Sequence, residues 1–420
     1  MTSSNEKEAF VWIWLPDETK PIVAGLLEAD NNTLVFNYGQ SYLERVNDSK
    51  PAISIYEPEL PLKAGALSLP EGLTMPGCIR DAAPDAWGRR VIINKKLGLK
   101  GSGTDTAELD ELTYLLESGS DRIGALDFQR SSSEYISRAT KNVSMEELIE
   151  SADRVEKGVP LTPELDQALF HGSSIGGARP KALIEGHGKK YVAKFSSRTD
   201  LYSVVKAEFI AMRLASLAGL DVAPVEISKT ANKDVLLIER FDRVPKGEEW
   251  ARKSMVSALT VLGLDDMMAR YASYETLAEI IRHRFTDPTD TLKELFSRLV
   301  FNILCGNTDD HARNHAAFWS GNKLTLTPAY DICPQGRTGS EASQAMLISD
   351  NNNLSQLKTC LDTAHNFRLS LESARTIFED MTAVIETHWE TVCDEAELSE
   401  VDRKLLWRRQ FLNLFSAEDQ

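Results

Sequence analysis

The sequence predicts an α+β protein in which a small β-rich N-terminal subdomain precedes two further lobes, the last of them mainly helical. Three observations support this prediction. The chain has 420 residues, which exceeds one compact core and corresponds to about three domain-sized units. Short β-rich runs separated by Asp, Asn, Gly and Pro fill residues 10–60. The strongest helical periodicity comes late in the chain, at residues 292–304.

Composition and charge limit the functions that the chain can have. The 47 basic and 63 acidic side chains give a formal net charge of −16, which repels a nucleic-acid backbone and disfavours direct, unaided DNA binding. The sequence contains no run of about 18 apolar residues that could span a bilayer. The charged start, MTSSNEKEAF, lacks the pattern of an export signal. We therefore expect a cytoplasmic protein that makes no use of a membrane.

The five cysteines are widely scattered and include no C-x-x-C pair. That spacing does not suit a zinc site or a redox pair. We expect reduced and mostly buried thiols.

Residues 1–130 are assigned to the N-terminal subdomain, a β-sheet with helices packed beside it. Its strands are predicted in the runs FVWIW, PIVAGLLE, TLVFNY and PAISIY, which cover residues 10–14, 21–28, 33–38 and 51–56. After Arg80, the apolar spacing of RDAAPDAWGRRVIINKK and ELDELTYLLESGS predicts helices. The polar segment from Arg130 to Asn142 is predicted to be a linker.

The second lobe is assigned to residues 143–245. Ser144 and Glu147 form a capping pattern at a helix start, and Thr162 followed by Pro163 marks a second one. KALIEG and KKYVAKFSS then predict a β-hairpin whose turn is supplied by Gly186 and Gly188. A helix over residues 201–217, ending near Gly219, and a strand in DVLLIERFD follow. Strand pair, helix and strand is the order of the small lobe of a protein kinase.

Residues 246–420 are assigned to the helical lobe. Its main helix carries an apolar face over residues 292–304 and is predicted to end at Gly306. Two segments follow this helix, GNTDDHARNHAAFW and, after a Gly-Asn turn, KLTLTPAYDICP. We expect these two segments to carry the chemistry.

The spacing of polar residues in these segments suits phosphoryl transfer, which needs a carboxylate for the acceptor hydroxyl and oxygen ligands for magnesium. Asp309 precedes Asn314 by the five residues that separate the catalytic Asp from the metal-binding Asn in protein kinases. Asp309 is therefore the predicted catalytic residue, and Asp310 is expected to stabilise the loop or face solvent. Asp331, after a predicted strand, would hold magnesium together with Asn314. It has the place of the aspartate in the Asp-Phe-Gly motif of protein kinases, although the sequence here is Asp-Ile-Cys.

A glycine-rich segment earlier in the chain provides candidates for nucleotide binding. Adjacent glycines allow close approach of the backbone to phosphates, and basic side chains add donors; the candidates are Gly176, Gly177, Ala178, Arg179 and Lys181. Lys194, in the run YVAKF, resembles the kinase lysine that neutralises nucleotide phosphates, and Glu208 could pair with it. Glu239, Arg240 and Phe241 could form the hinge between the lobes, whose backbone meets adenine.

Each pattern alone also has a plainer interpretation. An Asp/Asn cluster is usually a turn or a helix cap. A glycine-rich segment is usually an ordinary connection, and a lysine on a strand is usually a surface residue. His311 and His315 suggest a metal site, but no third ligand has suitable spacing. The agreement of several patterns in one chain favours the phosphotransferase interpretation.

Taken together, these motifs resemble the HipA family, the kinase toxins of bacterial toxin-antitoxin pairs, across nearly the whole chain. RDAAPDAWGRR and GSDRIGALDF resemble the signatures of the family's N-terminal subdomain, SSIGGARPKALI its phosphate loop, ERFDR its hinge, and NTDDHARN and TPAYDICP its catalytic segments. The resemblance implies a protein-kinase-like two-lobed fold of HipA type, with ATP and Mg²⁺ as cofactors. It also places His311 among the ATP-binding residues.

The resemblance implies regulation and partners as well. Ser174, or Ser173 directly before it, resembles the loop serine that the family autophosphorylates. The implied partners are a HipB-like antitoxin, through which alone the protein would meet DNA, and a translation protein as substrate. In the best-known members this substrate is glutamyl-tRNA synthetase, and other members modify other aminoacyl-tRNA synthetases. Pro180 and Arg313 depart from the family pattern, which affects nucleotide affinity and substrate choice rather than mechanism.

Two other functions are compatible with the sequence. A small-molecule phosphotransferase would share the Asp and Asn spacing but would lack the N-terminal subdomain. An inactive kinase-fold co-repressor would act only through the antitoxin, but Lys194, Asp309, Asn314 and Asp331 are all retained.

Overall fold

The N-terminal subdomain is built on a four-stranded antiparallel sheet. In the computed structural model, which describes residues 6–97, 109–138, 144–156, 179–196, 200–337, 339 and 341–417, the sheet has the order β3-β2-β1-β4. Its strands are β1 (Glu8–Ile13), β2 (Ile22–Asp30), β3 (Thr33–Tyr38) and β4 (Leu126–Gln129). The first three lie where the β-rich runs predict them. Alternate residues of β3 are buried, as expected when one face of a sheet covers a core.

The prediction of a fourth strand in PAISIY, residues 51–56, is wrong. This segment is irregular and makes a single bridge, from Tyr56 to Leu60. Tyrosine hydroxyls take the place of a neighbouring strand: Tyr42 donates to the carbonyl of Ile53 at 2.7 Å, and the amide of Ile55 donates to Tyr38 at 2.9 Å. The backbone groups are therefore satisfied without a β-ladder.

Short helices accompany the sheet in the described part of the N-terminal subdomain, and the two that follow Arg80 confirm the helical prediction there. They are α1 (Gln40–Leu43), α2 (Gly77–Arg80), α3 (Ala86–Leu97) and α4 (Glu111–Glu117). Helix α4 begins at Asp110, whose carboxylate accepts from the amide of Thr113 at 2.8 Å. The described part of the predicted linker packs on the sheet, where Tyr135 and Arg138 both donate to the buried Asp127.

The described residues of the second lobe form an antiparallel sheet of order β5-β6-β8-β7 and two helices. Its elements are α5 (Met145–Glu156), β5 (Lys181–Gly186), β6 (Lys189–Phe195), α6 (Val204–Leu217), β7 (Val225–Thr230) and β8 (Lys233–Glu239). Ser144 and Glu147 form the predicted reciprocal cap at 3.2 and 2.9 Å. In the hairpin turn, His187 rather than Gly186 joins Gly188 at positive φ. The prediction at Thr162 lies outside the described residues.

The third lobe is mainly helical, as predicted. It contains α7 (Ala258–Val261), α8 (Tyr274–Arg284), α9 (Pro288–Cys305), α10 (Leu357–Thr363), α11 (Leu371–Glu395) and α12 (Glu400–Leu406). Short strands lie among them: β9 (Arg243–Lys246), β10 (Glu249–Arg252), β11 (Met255–Ser257), β12 (Ala316–Trp319) and β13 (Leu324–Leu326). In the described parts of the chain, no helix is both long and apolar enough to cross a bilayer.

Helix α9 is the centre of this lobe and delivers the catalytic segment. Its apolar face is completely buried, as the periodicity predicts. It ends at Gly306, where φ is +74° and a Cβ would lie 2.7 Å from the carbonyl oxygen of Gln410. Only glycine fits both the left-handed conformation and this close approach.

The N-terminal subdomain is fastened to the second lobe by a largely buried group of charges, which we call the docking network: Asp121, Lys190, Arg240, Asp242 and Arg243. Asp121 accepts from Arg240, Arg243 and Lys190 at 2.7 to 3.1 Å. The amide of Gly124 donates to Asp242 at 2.8 Å. Because each buried charge has opposite partners, the network can hold the subdomain without leaving a charge unpaired.

All five cysteines are free and buried, as predicted. Burial raises the pKa of each thiol, to about 12 for Cys305 and Cys393. They are packing residues with little thiolate character.

Candidate active site

A cavity of about 520 Å³ lies where the three lobes meet. The second lobe contributes Val192, Lys194 and the segment Ile238–Asp242; the third contributes His311, Asn314, Tyr330 and Asp331; and the N-terminal subdomain contributes residues 80–86 and 123–126, among others. A concave site of this size, with apolar walls and a few convergent charges, suits a nucleotide-sized ligand.

Lys194 links the two main lobes across this cavity. It lies near the end of β6, and its ammonium contacts Glu208 of α6 at 2.6 Å and also Asp331. Burial disfavours the ammonium, but the two carboxylates outweigh burial and raise the pKa of Lys194. The predicted pairing of Lys194 with Glu208 is therefore present in the structure.

Asp331 is held as a carboxylate beside Lys194. Burial alone would raise its pKa, but the attraction and hydrogen bond of Lys194 lower it to about 2. The residue has a φ of +58°, which turns the chain sharply after β13. For Glu208 the balance is reversed, because burial outweighs Lys194 and raises the pKa of that carboxyl.

The catalytic loop brings Asp309 and Asn314 to neighbouring positions. The side-chain amide of Asn314 donates to the carbonyl oxygen of Asp309 at 3.3 Å, and its backbone amide donates to His311 at 2.8 Å. Asn314 and His311 line the cavity, whereas Asp309 is exposed and lies outside its wall. Partial burial, with Asp331 and Asp310 nearby, raises the pKa of Asp309 against the opposing effect of His311.

Two buried residues anchor this loop: Asp310, which follows Asp309, and His315, which follows Asn314. Asp310 and His315 contact each other at 3.0 Å, and the hydroxyl of Tyr274, on α8, contacts both. Of the two roles expected for Asp310, stabilising the loop is the observed one. The roles of Tyr274 and His315 were missed, because a spacing of 36 residues between Tyr274 and Asp310 carries no sequence signal.

The predicted hinge residues line the cavity, but their side chains have different surroundings. Phe241 packs against the rings of Phe318 and Tyr330 at 5.9 and 5.6 Å, which gives the cavity an aromatic wall. The guanidinium of Arg240 is committed to the docking network, so only its backbone could serve a ligand. Glu239 pairs with Lys189 at 2.6 Å.

The glycine-rich segment is described only from Arg179 onward. Arg179 donates to Asp200 at 2.7 Å, and neither Arg179 nor Lys181 lines the cavity. Lys181 is buried, and its ammonium lies 3.9 Å from Asp85 of the N-terminal subdomain. The predicted residues Ser173, Ser174, Gly176, Gly177 and Ala178 lie outside the described residues.

The donor set fits magnesium better than zinc. Asn314 and Asp331 both offer oxygen ligands to the cavity, and Mg²⁺ commonly takes one or two protein oxygens with the remainder from phosphates and water. Within the described ranges, no group of three or more His, Cys, Asp or Glu residues could hold a metal ion. The Nε2 atom of His315 contacts Asp310 and Tyr274, so this nitrogen is engaged in anchoring the loop.

Comparison with known proteins agrees with this architecture. Residues 13–129 match the HipA N-terminal domain, and residues 173–389 match the HipA-like C-terminal domain. The serine/threonine-protein kinase toxin HipA of Shewanella oneidensis is 25% identical over 183 residues, which cover 38% of this chain and 42% of that protein. The putative kinase Y4mE of Sinorhizobium fredii is 25% identical over 268 residues, covering 58% of this chain and 60% of that protein.

The chain therefore spans about half the length of these curated relatives. A solved structure covers more: HipA of Shewanella oneidensis MR-1, in a complex with HipB and operator DNA, matches 97% of this chain and 99% of its own with a TM-score of 0.69 at 19% identity. This match shows the same fold. With one family model covering residues 173–389 and the other the N-terminal part, the chain belongs to the HipA family and has its α+β, kinase-like fold.

Proposed function

We propose that this protein is an ATP- and Mg²⁺-dependent serine/threonine-protein kinase that acts in the cytoplasm as a HipA-type toxin. The observation that carries the proposal is the position of Lys194, which contacts Glu208 and Asp331 together, with Asn314 in the wall of the same cavity. In protein kinases the strand lysine, the helix glutamate and the metal-binding aspartate have these positions in the active state.

The proposed roles follow from the charges of the side chains. Asn314 and Asp331 would hold Mg²⁺, which neutralises charge on the nucleotide phosphates when bound. Lys194 binds the phosphates, and its pairing with Glu208 keeps the ammonium charged and oriented. Asp309 orients the acceptor hydroxyl and accepts its proton. The backbone of Glu239, Arg240 and Phe241 would meet adenine beside the aromatic wall. His311, Arg179, Lys181 and the glycine-rich segment would bind the phosphates.

Binding and transfer can be separated by two variants. Asp331→Ala removes a metal ligand, so Mg²⁺-dependent ATP binding measured by calorimetry should be lost together with transfer. Asp309→Asn keeps the metal ligands, so it should bind ATP within about threefold of wild type but lose at least about 100-fold in phosphate transfer. Full transfer activity in Asp309→Asn would contradict the assigned role of this carboxylate.

We also propose that Ser174, or its neighbour Ser173, is autophosphorylated. A phosphate there adds about two negative charges next to the proposed phosphate site and would repel ATP. Wild-type protein and Asp309→Asn produced in the same host can be compared by intact-mass analysis and peptide mapping. Phosphate on this serine pair is expected only in the wild type, and equal occupancy in both proteins would exclude self-modification.

The proposed partners are a HipB-like antitoxin and a protein of translation. The similar Shewanella protein was solved with HipB and operator DNA, and a net charge of −16 favours a basic protein as the partner that contacts DNA. The proposed substrate is a serine or threonine of an aminoacyl-tRNA synthetase. Transfer of labelled phosphate into a lysate, followed by identification of the labelled protein, tests the substrate, and a label found only on small molecules would refute it.

A further inference from the structure

The N-terminal subdomain contributes a carboxylate, that of Asp85, to the wall of the cavity. Asp85 precedes α3, its carbonyl accepts from the amide of Arg89 at 2.7 Å, and its side chain accepts weakly from Gly88 at 3.4 Å. Two residues later, Trp87 is only 1% exposed and packs with Val91 against residues of α5, β5, β6 and β8. Asp85 is therefore carried on a segment that is rigidly embedded in the second lobe.

The side chain of Asp85 faces Lys181. Its Oδ2 atom is buried, lacks a hydrogen-bond partner and lies 3.9 Å from the ammonium of Lys181. Lys181 is 2% exposed. Burial lowers the pKa of its ammonium, and the charge of Asp85 is the strongest influence that raises this pKa. A carboxylate oxygen at this distance from an ammonium acts on it through its charge rather than through a hydrogen bond.

The register of the sheet explains why the ammonium of Lys181 needs a carboxylate beside it. Lys181 on β5 and Lys194 on β6 are direct cross-strand partners, so two ammonium groups start from neighbouring Cα atoms and repel each other. Lys194 is neutralised by Glu208 and Asp331. Burial and the neighbouring Lys194 both lower the pKa of Lys181, whereas Asp85 raises it.

We propose that Asp85 is a positioning residue of the active site: it holds Lys181 in its charged form directly beside the cavity, so that nucleotide affinity depends on the docked N-terminal subdomain. This inference rests on the proposed function as an ATP-dependent kinase. The subdomain thereby contributes to the chemistry of the cleft as well as covering it.

Calorimetric titration of the full chain with Mg²⁺ and a non-hydrolysable ATP analogue tests the proposal. Asp85→Asn keeps the shape of the side chain and removes its charge, and it should weaken binding roughly tenfold, as expected for one charged contact. Asp85→Glu should recover most of the affinity. Lys181→Gln should weaken binding at least as much as Asp85→Asn, and the double variant should be no weaker than Lys181→Gln alone.

Tyr56→Phe serves as the matched control. Tyr56 lies in the same subdomain but outside the cavity wall, and its hydroxyl fastens the subdomain to the third lobe by accepting from the guanidinium of Arg284 at 2.9 Å. This variant should lower the melting temperature but leave analogue affinity within about twofold of wild type, whereas Asp85→Asn should change affinity more than melting temperature.

Three results would overturn the inference. Asp85→Asn could bind the analogue as tightly as wild type, or its loss of affinity could add fully to that of Lys181→Gln. Tyr56→Phe could weaken binding as much as Asp85→Asn, which would mean that loosening the subdomain is the cause. If instead the wild-type protein failed to bind the analogue with Mg²⁺, the proposed function itself would fail, and this outcome is distinguishable from the other three.

Discussion

Among the residues of the docking network, we expect the loss of the Asp242 carboxylate to lower the free energy of unfolding most. It accepts from Arg240, Arg243 and the amide of Gly124, at 2.8 to 2.9 Å, and it is 4% exposed. Burial would raise its pKa, but the two guanidinium groups lower it from 3.8 to about 2. This difference corresponds to about 2 kcal/mol of preference for the ionised form in the folded state.

Asp242→Asn should therefore lower the free energy of unfolding at pH 7 by about 2–5 kcal/mol. The lower value is the charge preference alone, and the upper value is typical of removing one partner from a buried ion pair. The sign of the pH dependence follows from a pKa that is lower in the folded than in the unfolded state. The contribution is complete above about pH 5 and is lost as the pH falls through 3.8 towards 2.

Urea unfolding followed by circular dichroism measures both effects. Glu386→Gln is a suitable control, because Glu386 pairs with Arg408 at 3.0 Å on the surface, where both side chains are about half exposed, and such pairs contribute about 0–1 kcal/mol. If Asp242→Asn cost no more than this control, or if its effect were the same at pH 2.5 and pH 7, the assigned role of the network would be refuted.

Two further predictions concern the catalytic loop. Gly306→Ala should lower the free energy of unfolding by about 1–3 kcal/mol, because its φ is +74° and the new methyl group would meet the backbone of Gln410; a thermal melt within 1 °C of wild type would contradict this. Tyr274→Phe keeps the ring but removes the hydroxyl that contacts Asp310 and His315. It should lower kcat while the KM for ATP stays within about threefold, and steady-state kinetics showing an unchanged kcat would contradict the anchoring role.

Local patterns in the sequence predicted much of the fold, because they depend on neighbouring residues. The strand run TLVFNY, the reciprocal cap at Ser144 and the end of α9 at Gly306 all follow from periodicity or backbone chemistry within a few residues. PAISIY failed for the opposite reason. Its β-branched residues suit a strand, but the hydroxyl groups of Tyr38 and Tyr42 already satisfy its backbone.

The candidate site divides in the same way. Family-like spacing located Lys194, Asn314 and Asp331, which the structure brings to one cavity. Asp85 and Tyr274 could not be found, because their contacts join residues 96 and 36 positions away and depend on tertiary packing. Arg240 illustrates a third case, since its position in the cavity wall was predicted but the use of its side chain in the docking network was not.

The buried thiols have a practical consequence for following motion in this protein. Since each native cysteine is shielded and resists ionisation, a maleimide dye at neutral pH should react almost exclusively with a cysteine introduced on the exterior. Two such sites, one on the tip of the β7–β8 hairpin and one near Glu386 on α11, would report the distance between lobes by energy transfer without first deleting any native residue.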